Sequence, residues 1–426
     1  MERLIRHRRV IEAATVVLFL AGLAAWWFLI RDPLRGLPDV GEPFDVTAFI
    51  ALDVPENQNA FLLYEQAQRS YAQNDRARRR QILEKCGEWK EPALGHLDWS
   101  AVSRGARAWL DANQKELDLW KNATALPAFQ SHRLRGIQLD APLFVEGSFH
   151  TFARLALLDG ARHEAEGDMA GALDVYRALF RSSRHIGQYN GRMLRESGVR
   201  LHRAACEALI RWADDTRVDA SLLRRALGNA TDDDALTVPV SVTYQIEYLI
   251  HMALLDDGDA VARRMRHDLR YWREGPPLRR PHIASTQGYE RLPLPERSAE
   301  WMQRLSNEAS GFSAHEPERS RHILRLLIAN RLAHADDPPD RPATIATTTP
   351  MLYATTPTDP AAARALAPRE LASWYVTSDL AKIDPDAFRG TLEASLAHER
   401  AAQRQLLEVL TTELARRRDQ TAADAP

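Results

Sequence analysis

The chain has 426 residues, with 58 acidic and 56 basic side chains, a formal net charge of −2, and two cysteines. That balance gives no electrostatic case for a nucleic-acid partner, whose phosphates select a basic face or stripe. Two cysteines exclude a disulfide-rich scaffold and any zinc site built from several thiolates, leaving Cys86 and Cys206 as either one disulfide or two separate core thiols.

A basic tail over residues 1–9 carries Arg3, Arg6, Arg8 and Arg9 and leads into an apolar run over residues 10–30. At about 1.5 Å per residue that run matches a bilayer core of about 30 Å, so the sequence predicts one N-terminal transmembrane helix. The arginine bias assigns residues 1–9 to the cytoplasm and the remaining chain to the outer, periplasmic face, with Trp26 and Trp27 near the far interface. Cleavage as a signal peptide is the rival reading, since Ala24 and Ala25 suit a peptidase, but the apolar run continues past them to Ile30. Residues 31–56 carry Pro33, Pro38, Pro43 and Pro55 with Gly36 and Gly41, a composition that predicts an extended spacer.

An α-helical domain is expected over residues 57–335. Ala60, Phe61, Tyr64 and Ala67 share the face of its first helix, and Arg76, Arg78, Arg79 and Arg80 read as a solvated face further along. Residues 100–126 place Val102, Trp109, Leu110, Leu117 and Trp120 on a helical period and predict one helix, ended by Pro127. Residues 149–166, 169–186 and 193–213 predict three successive helices, whose short connections make them antiparallel neighbours. A shorter helix is expected over 221–227 and a longer one over 240–272, before prolines between 275 and 295 exclude regular helix. Helices near 297–307 and 317–334 precede a Pro- and Thr-rich linker or loop over 336–367.

C-terminal helices are predicted over 368–418, with Asp384 and Pro385 as cap and first-turn proline. Phe388, Leu392, Leu396, Gln403, Leu406, Leu410 and Leu414 then step along one stripe by threes, fours and a seven. The stripe needs a partner, either another helix of the same chain or a second copy in a homo-oligomeric coiled coil. Residues 419–426 are expected to be a disordered tail.

In the passage LLDGARHEAEGDMAGALDVYRALF, Gly160, Gly167, Ala172 and Tyr176 stand where a helix pair has its first small residue, turn glycine, second small residue and aromatic. The passage resembles one tetratricopeptide-like hairpin. The resemblance implies that Gly160 and Ala172 let two backbones approach beside Tyr176, while Gly167 reverses the chain. Thirty-four residues on stand Leu194, Leu201, Cys206 and Ile210, apolar but without the glycines or the aromatic, so the match covers one hairpin. The whole layout, with Asn59, Ala60, Tyr64 and Ala67 as Asn-Ala-x-x-x-Tyr-x-x-Ala, is similar to uncharacterised bacterial single-pass membrane-anchored helical proteins. That likeness implies topology and no catalytic residue.

Tyr244, Glu247, Tyr248 and His251 share one helical face and are the candidate catalytic set, because a carboxylate one turn from a histidine can orient an imidazole for proton transfer. The competing reading is a buried hydrogen-bond network that ties this helix to its neighbours. His163-Glu164 and His398-Glu399 begin like zinc-protease helices, but Gly167 and Ala402 replace the second histidine. Asp256, Asp257 and Asp259 form only a fragment of a calcium loop. No metal site and no cofactor motif is read. The expectation is an all-α protein, one transmembrane helix followed by a helical-hairpin bundle or short irregular α-solenoid. Its expected role is a scaffold or adaptor for a protein partner in the bacterial envelope, the alternative being an envelope enzyme, a hydrolase among the options, with a polar cleft around Glu247 and His251.

Overall fold

The computed structural model describes residues 15–20, 22, 41–87, 92–95, 97–131, 134–137, 143–256, 321, 324–325, 328–329, 332, 335, 392 and 394–423. Among them every regular element is helical, apart from an isolated bridge between Asn59 and Ala128, so the fold is all-α as the periodicity predicts. The transmembrane part of the expectation is corrected: among the described residues no helix is long and apolar enough to cross a membrane. Within 10–30, residues 15–20 and 22 are described, all helical and exposed. The rest of that run lies outside the described residues.

The chain divides into two units, and the helices below belong to the one made of Glu42–Arg270, Arg331–Ala343 and Ile383–Pro426. They are α1 (Val46–Ile50), α2 (Phe61–Cys86), α3 (Arg104–Ala112), α4 (Gln114–Thr124), α5 (Leu143–Glu166), α6 (Met169–Gly187), α7 (Arg192–Asp214), α8 (Ala220–Asp234), α9 (Val240–Asp256) and α10 (Ala394–Ala423). The spacer over 31–56 is not wholly extended. Asp45 Oδ1 accepts the Ala48 N–H at 2.9 Å and Phe49 is buried, a cap and an anchor sufficient for the short α1.

The expected single helix over 100–126 is two. Ser103 Oγ caps α3 by accepting the Ala106 N–H at 3.2 Å, and the break falls at buried Asn113. There the Asn113 amide donates to Trp109 O at 2.7 Å while its Oδ1 accepts from Arg78 at 2.7 Å, so a side chain competes with the helical ladder. Arg78 also donates to Glu116 at 2.9 Å, and Ser70 to the same carboxylate at 2.8 Å. Glu116 is only 1% exposed; burial raises its pKa, but Arg78 and Ser70 outweigh burial and hold it below the usual range. The arginine stretch of α2 is thus partly a link to α4 and not wholly a solvated face.

Asn59 explains the Asn-Ala-x-x-x-Tyr-x-x-Ala passage. Its Oδ1 caps Phe61 N at 3.0 Å and accepts from Gln130 N at 2.9 Å, while its Nδ2 donates to Gln130 O at 2.9 Å. Ala60, Tyr64 and Ala67 then enter the core beside Trp120, Phe129 and Phe149.

Helices α5, α6 and α7 pack in sequence order, as their short turns require. The C-terminal stripe finds its partner within this chain: α10 lies on α7 and α8, with Leu406, Leu410 and Leu414 in the common core. Helix α10 continues through Ala423, so residues 419–423 are helical and not a frayed tail. Phe388, the cap at Asp384 and Pro385, the helix near 297–307 and the linker over 336–367 lie outside the described residues, as does the predicted α9 continuation beyond Asp256.

Candidate functional site

On α9, Tyr244, Tyr248 and His251 are buried and Glu247 is half-buried. Glu247 Oε1 accepts the Arg192 N–H at 2.5 Å, at the start of α7. Gly191 makes room for it, since a Cβ there would stand 2.4 Å from Oε1. Amides in the first helical turn have no intrahelical acceptor and carry the positive end of the dipole, so Glu247 is a cap supplied to α7 by another helix. The His251 Nδ1–H donates to the Glu247 backbone carbonyl at 2.7 Å, while the Glu247 carboxylate stays 3.8 Å from Nδ1. Tyr248 donates its hydroxyl proton to Glu42, and its ring meets Phe44 edge-on at 5.4 Å. The common face is real, but its polar groups diverge to a helix end, a backbone carbonyl and residues 42–44.

The α5–α6 hairpin brings its four residues together. Gly167 turns at φ +84°, and Ala172 is fully buried. A Cβ on Gly160 would lie 2.2 Å from Tyr176 Cε1, so the ring occupies the place of the missing side chain. The Tyr176 hydroxyl donates to Glu164 at 2.6 Å, and Arg211 of α7 forks onto the same carboxylate with two bonds of 3.1 Å. Burial first, and the Glu164 charge second, push the phenol pKa up, so the hydroxyl keeps its proton.

Sequence reasoning missed a larger cluster beneath α10. Glu399 is buried between Arg184 of α6, which donates to its Oε1, and Arg195 of α7, which donates to Oε2 at 3.3 Å. Arg184 also reaches Asp234 at the end of α8 at 2.6 Å, and its Nη2 stands 3.4 Å from His202 Nε2. A Cβ on Gly187 would lie 2.6 Å from Arg195 Nη1, so that glycine admits the guanidinium. Burial, then the charges of Arg184 and Arg195, drive the His202 pKa well below the usual imidazole value, leaving a neutral ring. Cys206 Sγ sits 3.3 Å from His202 Nε2, but burial pushes its thiol pKa up to about 12. A protonated thiol beside a neutral imidazole is no nucleophile. Both cysteines are free thiols, Cys206 buried and Cys86 partly so.

One signal for this cluster was available. The apolar stripe advances seven positions at once from Leu396 to Gln403, and Glu399 fills the missing step on the same face. Among the described residues no group of three or more His, Cys, Asp or Glu side chains could hold a metal ion. Comparison of the chain with family models, curated proteins and solved structures finds no match.

Proposed function

We propose that this protein is a non-catalytic helical scaffold that presents a surface to a protein partner. The observation carrying the reading is the use made of its buried and half-buried carboxylates: Glu399 closes over Arg184 and Arg195, Glu164 closes over Arg211 and Tyr176, and Glu247 caps α7. Each joins one helix to another, the arrangement of a module whose outer helix faces are its working parts. An enzyme centred on Glu247 and His251 would need the carboxylate on the imidazole, and here it serves the Arg192 amide.

Recovery of the full chain from its native cell after mild crosslinking, with mass-spectrometric identification, tests this. The expected result is one reproducible partner, recovered equally with wild type and His251→Ala. Failure to recover any partner, or a hydrolytic turnover that His251→Ala abolishes, overturns the reading.

A further inference from the structure

Helix α2 has a second seam. Tyr64, Ala67, Tyr71 and Ile82 face the core, while Leu62, Gln66, Arg69, Gln73, Arg76, Arg80 and Leu83 are all exposed. Those seven positions advance by alternating fours and threes, the spacing of the contact line of a coiled coil. The line runs about 32 Å at the rise of an α-helix. Its two ends are leucines, 50% and 52% exposed. Its middle carries three arginines: Arg69, 70% exposed, is already paired with Glu65 at 2.6 Å, so the net positive charge comes from Arg76 and Arg80, which hold no ion pair among the described residues. At the N-terminal end, Leu62, Glu65, Gln66, Arg69, Ser70 and Gln73 line a shallow depression of about 370 Å³.

We infer that this seam is the docking face for an acidic amphipathic helix of a partner protein, with leucines at its ends and carboxylates between them. The inference rests on the scaffold reading and names the partner chemistry. Charge selects the occupant. A second copy paired in parallel would set Arg69 on Arg69 and Arg76 on Arg76; paired antiparallel with the leucines aligned, it would set Arg69 on Arg76. Like charges facing one another across such a seam oppose pairing. A nucleic acid would reward an unbroken cationic track, whereas leucines end this one and glutamines interrupt it. A helix with glutamates at matching seam positions satisfies the arginines and covers both leucines.

The test uses the full chain and a fluorescent synthetic helix of about three heptads, with leucine at both ends and glutamate at the seam positions between. A copy with lysine in place of glutamate is the control. The glutamate helix should bind wild type, weaken at least about tenfold against Arg69→Glu/Arg76→Glu/Arg80→Glu, and weaken as salt rises. The lysine helix should bind that triple variant in its place. Circular dichroism and the thermal midpoint establish that the variant is folded, and Arg76→Gln/Arg80→Gln gives a milder version of the same loss. Equal binding of the two helices by wild type overturns the inference. So does an oligonucleotide or an anionic vesicle that binds through the same arginines more tightly than the glutamate helix. If neither helix binds but crosslinking still recovers a partner, the seam assignment fails and the scaffold reading stands; if crosslinking recovers none, the scaffold reading fails.

Discussion

The α5–α6 hairpin and the C-terminal helix α10 are both fastened by a carboxylate closed over arginine, but under opposite constraints. Glu164 on α5 and Arg211 on α7 lie 47 positions apart, with only α6 and its two short turns between their helices, and their side chains are 14% and 28% exposed. Glu399 and Arg184 lie 215 positions apart, with exposures of 5% and 2%. Short turns already hold α5 against α6 and α6 against α7, so the ion pair there refines a contact that connectivity imposes. No short turn brings α10 to its place. Its position and register depend on matching side chains, and a buried acid opposite two buried guanidiniums penalises every other register.

The largest expected effect follows from that difference. Glu399→Ala leaves Arg184 and Arg195 buried without their shared carboxylate, and loss of one member of a buried ionic group costs about 3–5 kcal/mol. Urea unfolding of the full chain measures it, and a loss under about 1 kcal/mol would break the contrast. The triple replacement Arg184→Met/Arg195→Met/Glu399→Leu sharpens it: similar volume without charge should recover most of the stability, showing that the cluster specifies register more than it stabilises.

Acid should act next. His202 belongs to the α10 cluster, and His185 is buried with its Nδ1 2.9 Å from the Tyr64 hydroxyl. Burial, with the charge of Arg181 second, lowers the His185 pKa to about 3, and His202 shifts in the same direction. The unfolded chain takes up these protons near pH 6.5 while the folded chain does not, so it binds more protons below that point and stability falls with pH. His185 should cost about 2 kcal/mol between pH 6.5 and 5, at about 1.4 kcal/mol per unit, and His202 should add to the loss in the same direction. Thermal midpoints across that window should fall less steeply in His202→Asn. An unchanged slope would place the acid sensitivity elsewhere.

The hairpin should answer to volume more than to charge. Gly160→Ala puts a methyl 2.2 Å from Tyr176 Cε1, a clash that the rigid ring cannot relieve by rotating its far end. Overpacking of this kind costs about 1–3 kcal/mol, and Tyr176→Leu in the same chain should return part of it. A neutral Gly160→Ala in thermal melts would mean that the two helices stand further apart than described.

What was legible in the sequence follows the range of the interaction. Gly160, Gly167, Ala172 and Tyr176 were readable because they act across one turn, and the leucines of α10 because a stripe declares its own face. Locally Glu399 reads only as part of an incomplete zinc motif, because its partners sit on helices more than 200 positions away and no local rule connects them. Asn113 was hidden by a period that continues across it, since the break comes from Arg78 and the Trp109 carbonyl and not from a proline or glycine. The expectation of a transmembrane helix rests on the length and apolarity of residues 10–30, and among the described residues no helix meets both.

The α9 face shows the same limit at a smaller energy. Periodicity put Tyr244, Glu247, Tyr248 and His251 on one side correctly, but a shared side does not mean a shared target. Glu247 is oriented by the open amides of α7, which attract a carboxylate as an N-cap does. Glu247→Ala should therefore cost about 1 kcal/mol of stability, the usual value of a helix cap, and Glu247→Gln less, because an amide oxygen still accepts the Arg192 N–H. Chemical denaturation of the two variants beside wild type measures both. If instead Glu247→Ala leaves stability unchanged and Glu247→Gln behaves like alanine, the carboxylate is not acting as a cap. The α9 face would then have to be read again as a site that needs a charge.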